Sequence, residues 1–247
     1  MNAPIFILAG EASGDLLASR IMRAINAHYG KYKWVGLGGD HMTAEGLQSV
    51  SEMHQLSLIG LGDTIRNYNA LSNFADDLVK YVVQQQPQLI LTVDAKGFSV
   101  RFAARLRRQM RRSGWKAPII HTVAPTVWAW GMWRRHKFAR VFDGLLCLFP
   151  FEPDYFSPLG LPSYFIGHPA AFDIKPRPLA QKSSIFPICA PQIAILPGSR
   201  ISEIKYILPI MISAIELLKE AYPRAVFTLP AVPQLHHQIS AICSGKL

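Results

Sequence analysis

Cysteine is scarce in this chain, and the three present, Cys147, Cys189 and Cys243, are odd in number and far apart. That excludes a disulfide framework and a cysteine-built zinc site, and it fits a reducing cytosol. The eight histidines show no ligand spacing, with His236-His237 a lone adjacent pair, so no metal is expected. No stretch approaches roughly 18 uninterrupted apolar residues, which excludes a membrane-spanning helix. The first apolar run, Ile5–Ala9, has no basic flank and reads as a core strand rather than a signal peptide. Gly-Lys-Ser/Thr and G-x-G-x-x-G are both missing, and Ser13 lacks the G-x-S-x-G frame. The chain therefore carries no P-loop, no dinucleotide fingerprint and no hydrolase elbow.

Acidic residues are absent between Asp94 and Asp143, a segment that holds twelve Lys or Arg. Taking those twelve from the 26 basic residues leaves 14 against 16 acidic ones, so the whole net charge of +10 resides in this segment. Arg101, Arg105, Arg108 and Arg112 form one helical stripe, and Phe98, Phe102, Leu106 and Met110 form an apolar one beside it. Trp128, Trp130 and Trp133 then lead into Arg134, Arg135, His136, Lys137 and Arg140. Three readings compete here: a solvated helix face, a nucleic-acid surface, and a contact with anionic phospholipid. Nucleic acid would need an accompanying recognition fold, and none is legible. Headgroup charge together with interfacial tryptophans accounts for both halves of the composition, which favours the membrane.

Half of the residues are hydrophobic, enough to bury a full core. Candidate strands at Ile5–Ala9, Trp34–Leu37, Leu89–Val93, Ile119–Val123, Gly144–Leu148 and Ser163–Ile166 alternate with candidate helices. These fall near Leu16–His28, Ile65–Gln85, Phe98–Arg112, Arg134–Phe142 and Pro153–Ser157. Short buried strands alternating with amphipathic helices predict an α/β fold, a Rossmann-like parallel sheet. Such sheets bind ligands beyond the carboxyl ends of their strands. Three segments fall on that rim: the elbow Gly10-Glu11-Ala12-Ser13-Gly14-Asp15, Asp94, and the loop after Val123.

In the elbow, Gly10 and Gly14 permit close approach to a ligand, and Ser13 or Asp15 is placed to cap the following helix. Glu11 is poorly placed to hold phosphate and suits a sugar hydroxyl or a proton. Asp94 ends an apolar strand, where a charge is costly unless the strand opens into a cleft. The bland alternative is a helix cap, for which Asp94 lies early. The apolar, glycine-punctuated Leu56–Asp63 segment reads as an exposed greasy loop for lipid.

Residues 1–172 form the first expected unit, 173–191 a Pro-rich linker, and 192–247 the start of a second unit. There Ile193–Leu196 is a candidate strand, Pro197-Gly198-Ser199-Arg200 a tight turn, and Ser202–Ala221 a helix, followed by the strand Ala225–Leu229 and a last helix. Arg200 offers a planar fork for phosphate or carboxylate. So few residues do not complete an α/β domain, and this second unit is expected to be cut off after its first elements.

Taken in order, the motifs resemble the lipid-A-disaccharide synthases, glycosyltransferases of the GT-B type with two Rossmann-like domains. They are Ala9–Asp15, Gly38-Gly39-Asp40, Ile59-Gly60-Leu61, Val93-Asp94-Ala95, Pro125–Trp130, Pro150-Phe151-Glu152, Gly167-His168-Pro169 and Leu196–Arg200. The resemblance implies transfer from UDP-2,3-diacylglucosamine to 2,3-diacylglucosamine 1-phosphate (lipid X), giving the disaccharide 1-phosphate and UDP. It implies no metal, no cofactor beyond the UDP-sugar substrate, and a place in the cytoplasm at the inner membrane of a Gram-negative cell. Asp94 would be the base and Glu11 would orient or activate a sugar hydroxyl. Gly10, Ser13 and Gly14, with Gly198, Ser199 and Arg200, would bind substrate. Leu58, Ile59, Leu61, Trp133, Arg134 and Arg135 would meet membrane or acyl chains. After Asp94-Ala95 the family usually has Pro-Asp-Phe-Asn, whereas here Lys96-Gly97-Phe98-Ser99 follows. A neighbouring ammonium favours the charged carboxylate and weakens it as a base. The alternative to a working transferase is an incomplete remnant that binds lipid or membrane only.

Overall fold

A computed structural model describes residues 3–53, 66–173, 191–198, 201–231 and 235–244. It divides into two units, Met1–Ile174 and Lys175–Leu247. The first contains a seven-stranded sheet, parallel throughout. Its strands are β1 (Ile5–Ala9), β2 (Trp34–Leu37), β3 (Leu47–Ser49), β4 (Leu89–Val93), β5 (Ile119–Thr122), β6 (Gly144–Cys147) and β7 (Ser163–Phe165). They lie in the order β3-β2-β1-β4-β5-β6-β7. Every residue of β1 and β2 is buried, as the unbroken apolar runs require of strands covered on both faces.

Gly36 in β2 sits at φ 150°, where an added Cβ would lie 1.9 Å from the Ile7 carbonyl oxygen. Only glycine lets β1 and β2 approach so closely.

Helices α1 (Ala12–Tyr29) and α2 (Asp40–Ala44) cover one face. There Ala18 and Met22 pack with Ile5, Ile7, Ala9, Leu91 and Val93. The other face carries α3 (Arg66–Gln85), α4 (Lys96–Ser113), α5 (Arg134–Val141) and α6 (Pro153–Phe156). The predicted stripe Phe98, Phe102, Leu106 and Met110 is buried there, with Phe6 stacked on Phe102 at 5.6 Å. A single turn, α7 (Ala170–Asp173), follows β7.

Several elements begin or end where sequence did not place them. The helix expected near Phe98 starts at Lys96, and the one expected at Leu16 starts at Ala12. β3 and α2 are three and five residues long, too short for a periodicity to register. In the second unit the parallel pair β8 (Gln192–Ala194) and β9 (Val226–Thr228) accompanies α8 (Ile201–Ala221) and α9 (His236–Cys243). Ile204, Leu208 and Ile212 of α8 pack with Leu235 and Ile239. No helix among the described residues is long and apolar enough to cross a membrane.

Candidate functional site

From β1 the chain runs outward through β2 and β3, then returns to place β4 on the other flank of β1. In open α/β sheets this reversal leaves a crevice beyond the carboxyl ends of the two central strands. Ala9 is in register with Val93, and Val93 with Thr122. The residues that follow, Gly10-Glu11 and Asp94-Ala95, therefore flank the crevice.

Asp94 stands there in an unusual conformation. Its φ is 51° and that of Ala95 is 44°, two successive non-glycine residues in the left-handed region. At the end of β5, Val123 is a third, with φ 80°. Side chains avoid this region, a β-branched one most of all, and such strain gathers at functional sites. The surroundings hold it in place. The Asp94 N–H donates to the Thr122 carbonyl at 3.0 Å, the Ser99 hydroxyl donates to the Asp94 carbonyl at 3.0 Å, and the Val123 N–H donates to the Leu146 carbonyl at 3.0 Å. Asp94 thus leaves the strand before α4 begins instead of capping the helix, whose flanking residue is Ala95. Its carboxylate is 29% exposed, and Lys96 Nζ lies 3.8 Å from Oδ1.

The elbow after β1 meets Asp94 directly. Gly14 is buried against the sheet, and a Cβ there would lie 3.5 Å from Ala9 Cβ and the Val93 carbonyl oxygen and 3.8 Å from Asp94 Cβ. Glu11 and Ser13 are exposed at the start of α1, while Gly10 is buried. Glu11 is the helix-capping position by its backbone, with no side-chain cap hydrogen bond. The expected cap by Ser13 or Asp15 is therefore not made on α1. Asp15 instead turns away and caps α2: its carboxylate accepts the N–H groups of Gly39 (2.9 Å), His41 (3.1 Å) and Met42 (3.1 Å). This ties Gly38-Gly39-Asp40 to the elbow across 24 residues of sequence.

Two buried ionisable groups near the rim feel the Lys96 charge. His121 is fully buried, with Nδ1 2.7 Å from Thr92 Oγ1 and its ring stacked on Phe142 at 4.8 Å. Burial, and then the Lys96 charge, push its pKa down to about 3, so it stays neutral. Glu152 is held by the N–H groups of Leu148 (2.8 Å) and Phe149 (3.0 Å). Burial raises its pKa, while those two bonds and the Lys96 charge work the other way. His121 did not stand out in the sequence, where the one available signal was a polar residue inside an apolar run; Glu152 entered only as part of the Pro150-Phe151-Glu152 motif, with no role read for it.

The aromatic and basic segment is only partly a free surface. Trp128 is half-buried, its ring packed against those of Phe149, Phe151 and Tyr155. Trp130 and Trp133 are exposed, each with a cation over its ring: Arg134 at 4.4 Å and Lys137 at 4.6 Å. Arg134 also donates to the Trp130 carbonyl at 2.7 Å, which closes the turn before α5. Arg135 is half-buried, its Nε without a hydrogen-bond partner. Of the arginine stripe, Arg105 is paired with Asp76 at 2.8 Å. A cleft of about 990 Å³ lies between α3 and α4, lined by Asp76, Asp77, Lys80, Arg105, Arg108 and Arg112, away from the rim.

In the second unit, Gly198 has φ 117°, and a Cβ there would meet the Glu203 side chain at 2.3 Å. Ser199, Arg200, Leu58, Ile59 and Leu61 lie outside the described residues. No group of His, Cys, Asp and Glu among the described residues could hold a metal ion.

A doubly wound unit with its crevice at the β1/β4 reversal, followed by a second α/β unit, is the GT-B fold. Solved structures of that fold align with the whole chain. UDP-GlcNAc 2-epimerase from Neisseria meningitidis, bound to UDP-GlcNAc, matches with TM-score 0.62 and 11% identity over 99% of this chain and 70% of its own. The UDP-N-acetylglucosamine 2-epimerase of Rickettsia bellii matches with TM-score 0.56 and 13% identity over 100% of this chain and 68% of its own. At such identities the likeness is one of fold.

Sequence narrows this further: the lipid-A-disaccharide synthetase family profile matches residues 5–244, and the chain belongs to that family. Lipid-A-disaccharide synthases of Rhodospirillum centenum and Neisseria meningitidis are 39% and 36% identical over 234 residues. Each alignment covers 93% of this chain, with 57% and 59% of the respective relative. The chain thus spans little more than half the length of these relatives.

Proposed function

We propose that the chain serves hexosyl transfer in lipid A biosynthesis, with the β1/β4 rim as its acceptor side. The donor is UDP-2,3-diacylglucosamine and the acceptor lipid X. The observation that carries this reading is Asp94, placed in a left-handed turn at the strand reversal, next to the Gly10–Gly14 elbow. An acceptor hydroxyl there gives its proton to the Asp94 carboxylate as its oxygen forms the bond to the donor's anomeric carbon. The bond from that carbon to the UDP oxygen breaks, and the diphosphate leaves with its electron pair. Lys96 Nζ lies 3.8 Å from Asp94 Oδ1 and sets a positive charge beside the proposed base. Glu11 orients a second sugar hydroxyl. Arg200, with the backbone N–H groups after Gly198, takes up the charge of the leaving diphosphate in the second unit.

The reaction so described needs no metal and no cofactor. The enzyme works in the cytoplasm, peripheral to the inner membrane. Trp133, Arg134 and Arg135, with the Leu58, Ile59 and Leu61 loop, meet anionic lipid and acyl chains. The exposed, cation-covered rings of Trp130 and Trp133 support that contact.

A second reading follows from the chain spanning 57% of its Rhodospirillum relative: the 247 residues hold lipid X without completing the transfer. A mass-spectrometric transfer assay with both substrates decides between them. Disaccharide formed by the chain and lost on Asp94→Asn supports the first reading. Lipid X bound without product supports the second, and equal product from both proteins removes Asp94 from the chemistry.

A further inference from the structure

Two motifs have no part in that reading: Pro150-Phe151-Glu152 after β6 and Gly167-His168-Pro169 after β7. They meet in space. Glu152, only 2% exposed, accepts the Leu148 and Phe149 N–H groups and so pins the turn that leaves β6. The pinned turn presents Phe149 and Phe151 as a stacked pair, 5.7 Å apart at 14°, each residue 43% exposed. Trp128 braces both edge-on, 4.9 Å from Phe151 and 6.4 Å from Phe149. His168 stands at the side of the pair, 6.1 Å from Phe149, and is exposed. Its Nδ1 accepts the Ala170 N–H at 3.2 Å, which assigns the proton of the neutral ring to Nε2. The result is an open aromatic platform with one oriented N–H donor, on turns at the carboxyl ends of β5, β6 and β7. The turns that carry it leave the carboxyl ends of β5, β6 and β7, which follow β4 in the same parallel sheet, so the platform stands on the same side of the sheet as Asp94.

We infer that this platform seats the pyranose ring of the acceptor, an inference that rests on the acceptor-side reading above. A hexosamine has an apolar C–H face and a hydroxyl edge. The face packs on Phe149 and Phe151, and an edge oxygen accepts the His168 Nε2–H bond. An acyl chain would use the rings but leave the histidine donor without a role, and that decides for the sugar.

Saturation-transfer NMR on the 247-residue protein tests this, with glucosamine 1-phosphate as the sugar probe and octanoate as the acyl probe. The sugar's C–H protons are expected to receive saturation. Phe151→Ala should weaken sugar binding about tenfold and Phe151→Tyr should restore it, the scale of one aromatic contact. His168→Ala should weaken it about fivefold, with partial recovery in His168→Gln, the scale of one neutral hydrogen bond. Asp94→Asn, assayed for transfer alone, should stop the reaction. Saturation of octanoate instead of the sugar, unchanged binding in Phe151→Ala, or no saturation of the sugar at all would each overturn the inference. Normal sugar binding in Phe151→Ala with transfer still lost in Asp94→Asn would overturn it and leave the transferase reading standing.

Discussion

Replacing Asp15 isolates the contact that ties the elbow to the segment carrying Gly38-Gly39. The carboxylate is 3% exposed and accepts three backbone N–H groups, two on Oδ1 and one on Oδ2. A hydrogen bond to a charged acceptor contributes about 1.5–3 kcal/mol, a neutral one about 0.5–1.5. Asp15→Asn keeps the amide oxygen for Gly39 and Met42 at neutral strength, loses the His41 bond and turns an NH2 toward that N–H. The expected cost is about 3 kcal/mol. Asp15→Ala strands all three donors and should cost about 5 kcal/mol, a large part of the ~5–15 kcal/mol that holds a domain folded. Urea denaturation at pH 7 reads both. With a slope of at most about 3 kcal/mol per molar, the Asn variant's midpoint should fall by about 1 M or more. Trp34, buried in β2, contributes to the tryptophan fluorescence that reports the transition. A loss below about 1 kcal/mol for Asp15→Ala would refute the reasoning, because three unsatisfied amides in that place cannot be so cheap.

His121 makes stability depend on acid. Its folded pKa of about 3 lies below the ordinary 6.5, so the unfolded chain takes up the proton first as pH falls. Stability is complete above pH 6.5 and is lost between there and about pH 3, by up to ~5 kcal/mol. His121→Gln, which cannot charge, should flatten that limb in pH-dependent melts; an unchanged limb would contradict it. Gly36→Ala should abolish folding, read as loss of soluble protein and of the near-ultraviolet dichroism, because its Cβ would overlap the Ile7 carbonyl oxygen. Trp133→Ala with Lys137→Glu should weaken co-sedimentation with phosphatidylglycerol vesicles at least about fivefold, at roughly 1 kcal/mol per lost basic contact. Equal sedimentation of wild type and variant would contradict a membrane contact there.

Much of the first unit was legible because its signals are long or unbroken. β1, β2 and β4 are apolar runs with residue-accurate ends, and the α4 stripe spans three turns. From the alternation of strands and helices the parallel sheet followed, and with it the rim that carries Glu11 and Asp94. What stayed hidden is non-local or has no residue signature. Asp15 looks like a cap for its own helix, but its partners lie beyond β2. Nothing in the letters Asp94, Ala95 and Val123 announces a left-handed backbone, which the neighbouring strands impose. Lys96 was the exception, since adjacency alone placed its charge beside Asp94. Trp128 read as part of an exposed aromatic series and is half-buried instead, because Phe149 and Phe151 reach it from a turn more than twenty residues later.

The most direct test of the acceptor-side assignment is amide hydrogen exchange of the 247-residue chain with and without lipid X. The crevice account predicts slowed exchange in the elbow at residues 10–15 and in the turn at residues 94–99. Protection confined to the α3–α4 cleft, over residues 73–84 and 105–112, would contradict it.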